Sequence, residues 1–102
     1  TGEFHLYIAR HAQHDTLNRL LHELVTRTCL ILMAWGARDK AVQREHAACG
    51  CQEHRRLLDA IRLRDVTEAQ SQMVAHLHTI ESQLHFSEHD EPEIELDQLL
   101  MD

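Results

Sequence analysis

The 102 residues predict an all-α chain folded as an antiparallel helical bundle. Three observations carry that prediction. Apolar residues recur at spacings of three and four along several stretches, no stretch alternates with the period of a strand, and aliphatic side chains are plentiful while aromatics make up only 4%. A chain of this length forms one domain and buries only about two-thirds of its unfolded surface, so its core is modest.

The first helix is expected from about Glu3 to Gln13, with Phe4, Ile8 and Ala12 on one face. The second opens at Asp15 as N-cap, carries Leu17, Leu20, Leu21, Leu24, Thr28, Ile31 and Leu32, and stops near Gly36. Residues 36–50 (GARDKAVQREHAACG) show no sustained apolar period and read as a long connection containing one helical turn. The third helix is expected from about Cys51 to Leu63. Asp65 then caps a fourth, with Glu68 at the capping-box position and a seam of Ala69, Met73, His76, Leu77, Ile80 and Leu84. The short link between these two helices predicts antiparallel neighbours. Ser87 to Pro92 ends the fourth helix. The organisation is therefore a helical body over 1–87 and an acidic tail over 88–102.

Charge follows the same division. Residues 1–87 hold ten Asp/Glu and ten Lys/Arg, whereas 88–102 hold seven acids and no Lys or Arg. The body has no basic stripe, which argues against direct nucleic-acid binding by this segment. Cys29, Cys49 and Cys51 are too few and odd in number for a disulfide framework, and are expected to be reduced thiols of a cytoplasmic protein. The longest apolar run, Cys29 to Trp35, is far short of the roughly 20 residues of a membrane span, and no signal-peptide pattern is seen. The chain opens on Thr1 rather than methionine and reads as a fragment or a processed product.

The ten histidines separate by helix face. His5 stands three and seven residues before Ile8 and Ala12. His54 stands three, four and seven before Leu57, Leu58 and Ile61. His76 stands three after Met73 and four before Ile80. His22, His78 and His85 fall off the apolar stripes, His11 and His14 lie near a helix end, and His46 and His89 lie in connection or tail. Three helices thus each aim one imidazole inward. A single inward histidine is ordinarily a core residue satisfied by a backbone carbonyl or a neighbour. Three on facing helices are also how a bundle core assembles a metal site with an open coordination position. Spacing alone leaves both readings open.

Two further candidates stand beside this one. His46-x-x-Cys49-x-Cys51-x-x-His54 could supply a Cys₂His₂ zinc site, although its spacing departs from the usual finger pattern. Arg27, on the apolar stripe between Leu24 and Ile31, could clamp an effector carboxylate, against the plainer reading of an i,i+4 pair with Glu23. A three-histidine metal could also ionise water for catalysis with Glu53 as base, but neighbours on a helix point about 100° apart, which turns Glu53 away from His54. No nucleophile with a partnered base and no phosphate-cradling glycine loop is present.

The stretches GEFHLYIA, LNRLLHELVTRTCLIL, EHRRLLDAI and RDVTEAQSQMVAHLHTIESQL resemble the C-terminal effector-binding (FCD) domain of FadR-type regulators in the GntR superfamily. The resemblance runs from residue 2 to about 86 and rests on an F-H pair, an E-H-x-x-L-x-D-A-I and an A-x-x-x-M-x-x-H-L in that order. It implies an all-α antiparallel bundle and a divalent metal, zinc first and nickel, manganese or iron otherwise, held by His5, His54 and His76. It further implies a small carboxylic-acid effector at or beside the metal, and a homodimer; the candidate effector contact, Arg27, comes from its helix position alone. DNA is reached through an N-terminal winged helix-turn-helix that this chain does not contain. The family's acidic ligand, four residues before the first histidine, falls on Thr1, which has no carboxylate. The family's Gly-Asp before the last helix is Arg64-Asp65 here, so the cap is kept and the glycine lost. The expected function is an effector-sensing and dimerisation domain of a transcription regulator and not an enzyme. The alternatives are a metal-dependent enzyme fragment, which predicts turnover, and a helical interaction module without ligand.

Overall fold

The computed structural model describes residues 2–85; Thr1 and the acidic tail lie outside the described residues. Four helices follow one another: α1 (Gly2–His11), α2 (Asp15–Trp35), α3 (Lys40–Arg62) and α4 (Val66–Ser82). No strand occurs among the described residues, and the fold is all-α.

α1 and α2 form one antiparallel hairpin. Gly2 lets the two helices approach closely, because a Cβ there would stand 2.5 Å from Val25 Cγ1 and 3.5 Å from Cys29 Sγ. The turn between them passes through Gln13 in the left-handed region (φ 54°). It brings His14, rather than the expected Asp15, to the N-cap, where Nδ1 accepts from Leu17 N–H at 3.2 Å. Asp15 becomes the acid of the first turn, where the helix dipole favours it. α2 stops at Gly36, whose N–H donates to Leu32 O, and a Cβ on Gly36 would collide with that same carbonyl.

The connection expected over 36–50 is not there. The link is only residues 36–39, and α3 begins at Lys40, about ten residues earlier than periodicity suggests. Asp39 supplies the start signal: its Oδ1 accepts from Ala41 N–H at 2.8 Å and Val42 N–H at 3.2 Å. The added turns escape a hydrophobic pattern because their inner stripe is Val42, His46, Gly50 and His54, at intervals of four but mostly not apolar. Gly50 sits mid-helix despite a propensity cost of about 1 kcal/mol relative to alanine.

α3 and α4 form the second antiparallel hairpin. Arg64 adopts φ 54° in the turn, and the chain closes with Arg64 N–H to Ile61 O and Asp65 N–H to Ala60 O, both at 3.0 Å. Asp65 caps α4 as expected, accepting from Glu68 N–H at 3.1 Å. The Glu68 carboxylate does not return to complete a capping box; it accepts from Gln72 instead. Leu77, expected in the seam of α4, is exposed.

Among the described residues the buried apolar core is Leu57 (3% exposed) and Ala60 (4%), and the other buried residues are His54 and His76. Many large hydrophobic residues are exposed, among them Leu17, Leu20, Leu24 and Leu30 on α2 and Val74 and Leu77 on α4. The hairpins meet at the imidazole cluster described next, where Phe4 also stacks on His54, and at the hydrogen bond from His85 N–H to Trp35 O at 2.8 Å.

Candidate metal centre

His5 lies in the second turn of α1, His54 in the lower half of α3, and His76 in α4. Because α3 and α4 are antiparallel neighbours, the inward residues of one face those of the other, and α1 lays its Phe4–His5 edge across both. His76 Nε2 stands 3.1 Å from His54 Nε2 and 3.2 Å from His5 Nε2. One donor nitrogen from each ring lies within 4.8 Å of the other two. Among the described residues this is the one group of three His, Cys, Asp or Glu donors so placed.

Two side chains set the rings. Phe4 stacks on His54 with centroids 4.0 Å apart and planes 7° from parallel, which fixes that imidazole from the α1 side. Glu53 Oε1 lies 3.3 Å from His76 Nδ1. A carboxylate can only accept, so Nδ1 carries the proton and Nε2 keeps its lone pair toward the other two rings. Glu53 is turned from the point shared by the three rings, as the sequence argument expects, and His54 and Glu53, about 100° apart on α3, reach opposite ring nitrogens of His76.

Burial, reinforced by the neighbouring imidazoles, pushes His54 down to about 4. Burial first, and then the His76 charge, lowers His5 as well. Both rings are therefore neutral at pH 7 and have a lone pair to offer. As hydrogen bonds alone the three nitrogens do not balance. Once His76 donates from Nδ1, its Nε2 presents a single in-plane lone pair to two neighbours. A cation between the rings uses all three lone pairs, and nitrogens on one tetrahedral zinc at about 2.0–2.1 Å stand about 3.3 Å apart. The observed 3.1 and 3.2 Å fit that spacing.

A cavity of about 490 Å³ lies between α1, α3 and α4, lined by none of the three histidines. Its wall includes Ile8, Leu57 and Met73, each one helical turn from His5, His54 and His76 respectively, on three different helices. Ala69 and Val66 continue the apolar lining, and Arg64 and Gln70 bring polar groups. Its size falls in the range of about 300–1,000 Å³ usual for small-molecule pockets.

The other sequence candidates are placed elsewhere. Arg27 Nη2 bonds Glu23 Oε1 at 2.7 Å, and the Arg27 side chain is 69% exposed. Cys49 and Cys51 are exposed free thiols on α3, Cys49 lying 3.8 Å from Glu53 Oε1, and they form no donor cluster with His46. Thr1, at the position of the family's acid, lies outside the described residues.

Residues 1–79 match the family model for the FCD domain. The chain belongs to the FCD domain family. This is the C-terminal effector-binding domain of GntR/FadR-type regulators, and the all-α fold accords with it. Comparison with curated proteins and with solved structures gives no match. The FCD match covers all three clustered histidines together with Phe4 and Glu53. Among the described residues no helix is long and apolar enough to cross a membrane.

Proposed function

We propose that this FCD chain is the effector-sensing and dimerisation part of a cytoplasmic GntR/FadR-type transcription regulator, with a divalent metal, zinc first, held by Nε2 of His5, His54 and His76. The observation that carries the reading is the convergence of three imidazoles from three helices, with His76 Nε2 3.1 and 3.2 Å from the Nε2 atoms of His54 and His5 and one nitrogen of each ring within 4.8 Å of the other two. Zinc is favoured because three imidazole nitrogens would leave one coordination position open; nickel or iron suit the same nitrogens, and manganese, which prefers oxygen ligands, suits them least. The bound metal supplies a Lewis-acidic point at which an effector oxygen completes the coordination. The protein's own groups do the rest: Phe4 and Glu53 orient the rings, and the cavity beyond Ile8, Leu57 and Met73 receives the carbon skeleton of a small carboxylic acid.

The metal in this proposal couples the two hairpins, since His5 comes from one and His54 and His76 from the other. An effector that binds one arrangement of the hairpins better than another shifts the population between them. A second copy of the chain covers the exposed apolar faces, and a winged helix-turn-helix outside this chain reads the shift on DNA. Arg27 contacts an effector carboxylate in this scheme only by exchanging it for Glu23.

Elemental analysis of protein purified without nickel resin, with a thermal-shift screen of small carboxylic acids, tests the proposal. One metal per chain and a saturable upward shift that disappears after chelation are expected. No metal uptake by the wild-type chain overturns it, and turnover of a screened acid replaces the sensor with an enzyme.

A further inference from the structure

The Glu53 carboxylate lies against the one side of His76 that the cluster does not use. Its side chain is 13% exposed and that of His76 is 4% exposed, so water has little access to take its place. Oε1 is 3.3 Å from Nδ1, while Nε2 of the same ring is the atom shared with both other histidines, at 3.1 and 3.2 Å. Of the three imidazoles, His76 alone stands close to both of the others through a single nitrogen, so its tautomer decides whether the cluster presents three lone pairs or two. With the proton on Nε2, that hydrogen would occupy the space where a cation must sit. Among the described residues, Glu53 is the one acid within bonding distance of this ring: Glu81 is on the exposed face of α4 with His78, and Asp59 faces solvent with Arg62.

We propose that Glu53 is a positioning residue for the metal site: by accepting the Nδ1–H of His76 it holds that ring in the tautomer and orientation that aim the Nε2 lone pair at the ion. This rests on the metal reading above and adds to it a residue that is not itself a ligand. An outer carboxylate behind a ligating histidine raises the basicity of the nitrogen and fixes the ring, and its loss ordinarily weakens metal binding about 10- to 100-fold.

The test is a zinc competition titration of the wild-type chain and of Glu53→Ala, Glu53→Gln and Glu81→Gln, paired with the visible spectrum of each protein loaded with cobalt(II). Glu53→Ala is expected to weaken zinc binding about 10- to 100-fold and to alter the cobalt ligand-field bands. Glu53→Gln keeps an accepting oxygen without the charge and is expected to recover part of the loss. Glu81→Gln is expected to match wild type. Thermal unfolding in chelator controls for folding, and if Glu53→Ala does not fold, the near-isosteric Glu53→Gln decides. Wild-type zinc affinity and an unchanged cobalt spectrum in a folded Glu53 variant overturn this inference alone. A wild-type chain that binds neither zinc nor cobalt overturns the proposed function and this inference together.

Discussion

The hairpin of α3 and α4 holds every buried residue among those described, His54, Leu57, Ala60 and His76, whereas the hairpin of α1 and α2 holds none. Both are similarly amphipathic in sequence, and α2 carries the longer run of leucines. The difference lies in what each helix faces. α3 and α4 pack along their length with α1 laid over one end, while α2 touches α1 and leaves Leu17, Leu20, Leu24 and Leu30 in solvent. An amphipathic pattern states that a helix has an apolar side; it does not state that this chain covers it. The first hairpin meets the second through the three imidazoles, the Phe4–His54 stack and the His85–Trp35 hydrogen bond.

The largest expected effect separates the two hairpins by metal removal. With free zinc near a thousandfold above its dissociation constant, binding adds about 4 kcal/mol to stability. Chelation is expected to speed amide hydrogen exchange in α1 and α2 far more than in α3 and α4. Equal acceleration in all four helices breaks the comparison.

A core truncation probes the second hairpin directly. Leu57→Ala removes the most buried side chain and is expected to cost about 2–4 kcal/mol in chemical unfolding. Leu24→Ala on the exposed face of α2 is expected to cost well under 1 kcal/mol in a monomer. A Leu24→Ala loss that grows with protein concentration would instead place that face in a dimer.

Acid sharpens the role of the shared cluster. His5 and His54 are lowered in the folded chain, so below about pH 6.5 the unfolded state binds more protons than the folded one. Stability is therefore complete above pH 6.5 and falls as the pH drops from there toward about 4. Unfolding midpoints at pH 7.5, 6 and 5 are expected to decrease in that order, and His54→Gln is expected to flatten the trend.

The smallest effect lies in the α3–α4 turn. Arg64 at φ 54° occupies a conformation that costs a non-glycine residue roughly 1 kcal/mol. Arg64→Gly is expected to raise the unfolding midpoint slightly, and a lower midpoint would show that Arg64 gains more from lining the cavity than it loses to its backbone.

Much of this was legible in sequence because leucine, isoleucine and methionine at helical spacing mark inner faces whatever the tertiary partner. The same rule selected His5, His54 and His76, since each stands a turn from a residue of the cavity wall. It failed over 40–50, where the inner stripe is Val42, His46 and Gly50 and carries too little hydrophobicity to register. It did not register that Glu53 would reach the outer nitrogen of His76, because a wheel of side-chain directions says nothing of where a ring on the facing helix presents its two nitrogens. The role of Phe4 was half visible: its inward face follows from spacing, but stacking on His54 depends on how α1 crosses α3, which no local pattern encodes.

Phe4 and His5 are consecutive, yet both engage His54, one by its flat face and the other edge-on at 5.1 Å between centroids. Rolling α1 about its long axis by a single position would pull both rings off at once. The helix is therefore keyed: its rotational setting has one seat, and that seat fixes which stripe of α1 and α2 is presented to the outside.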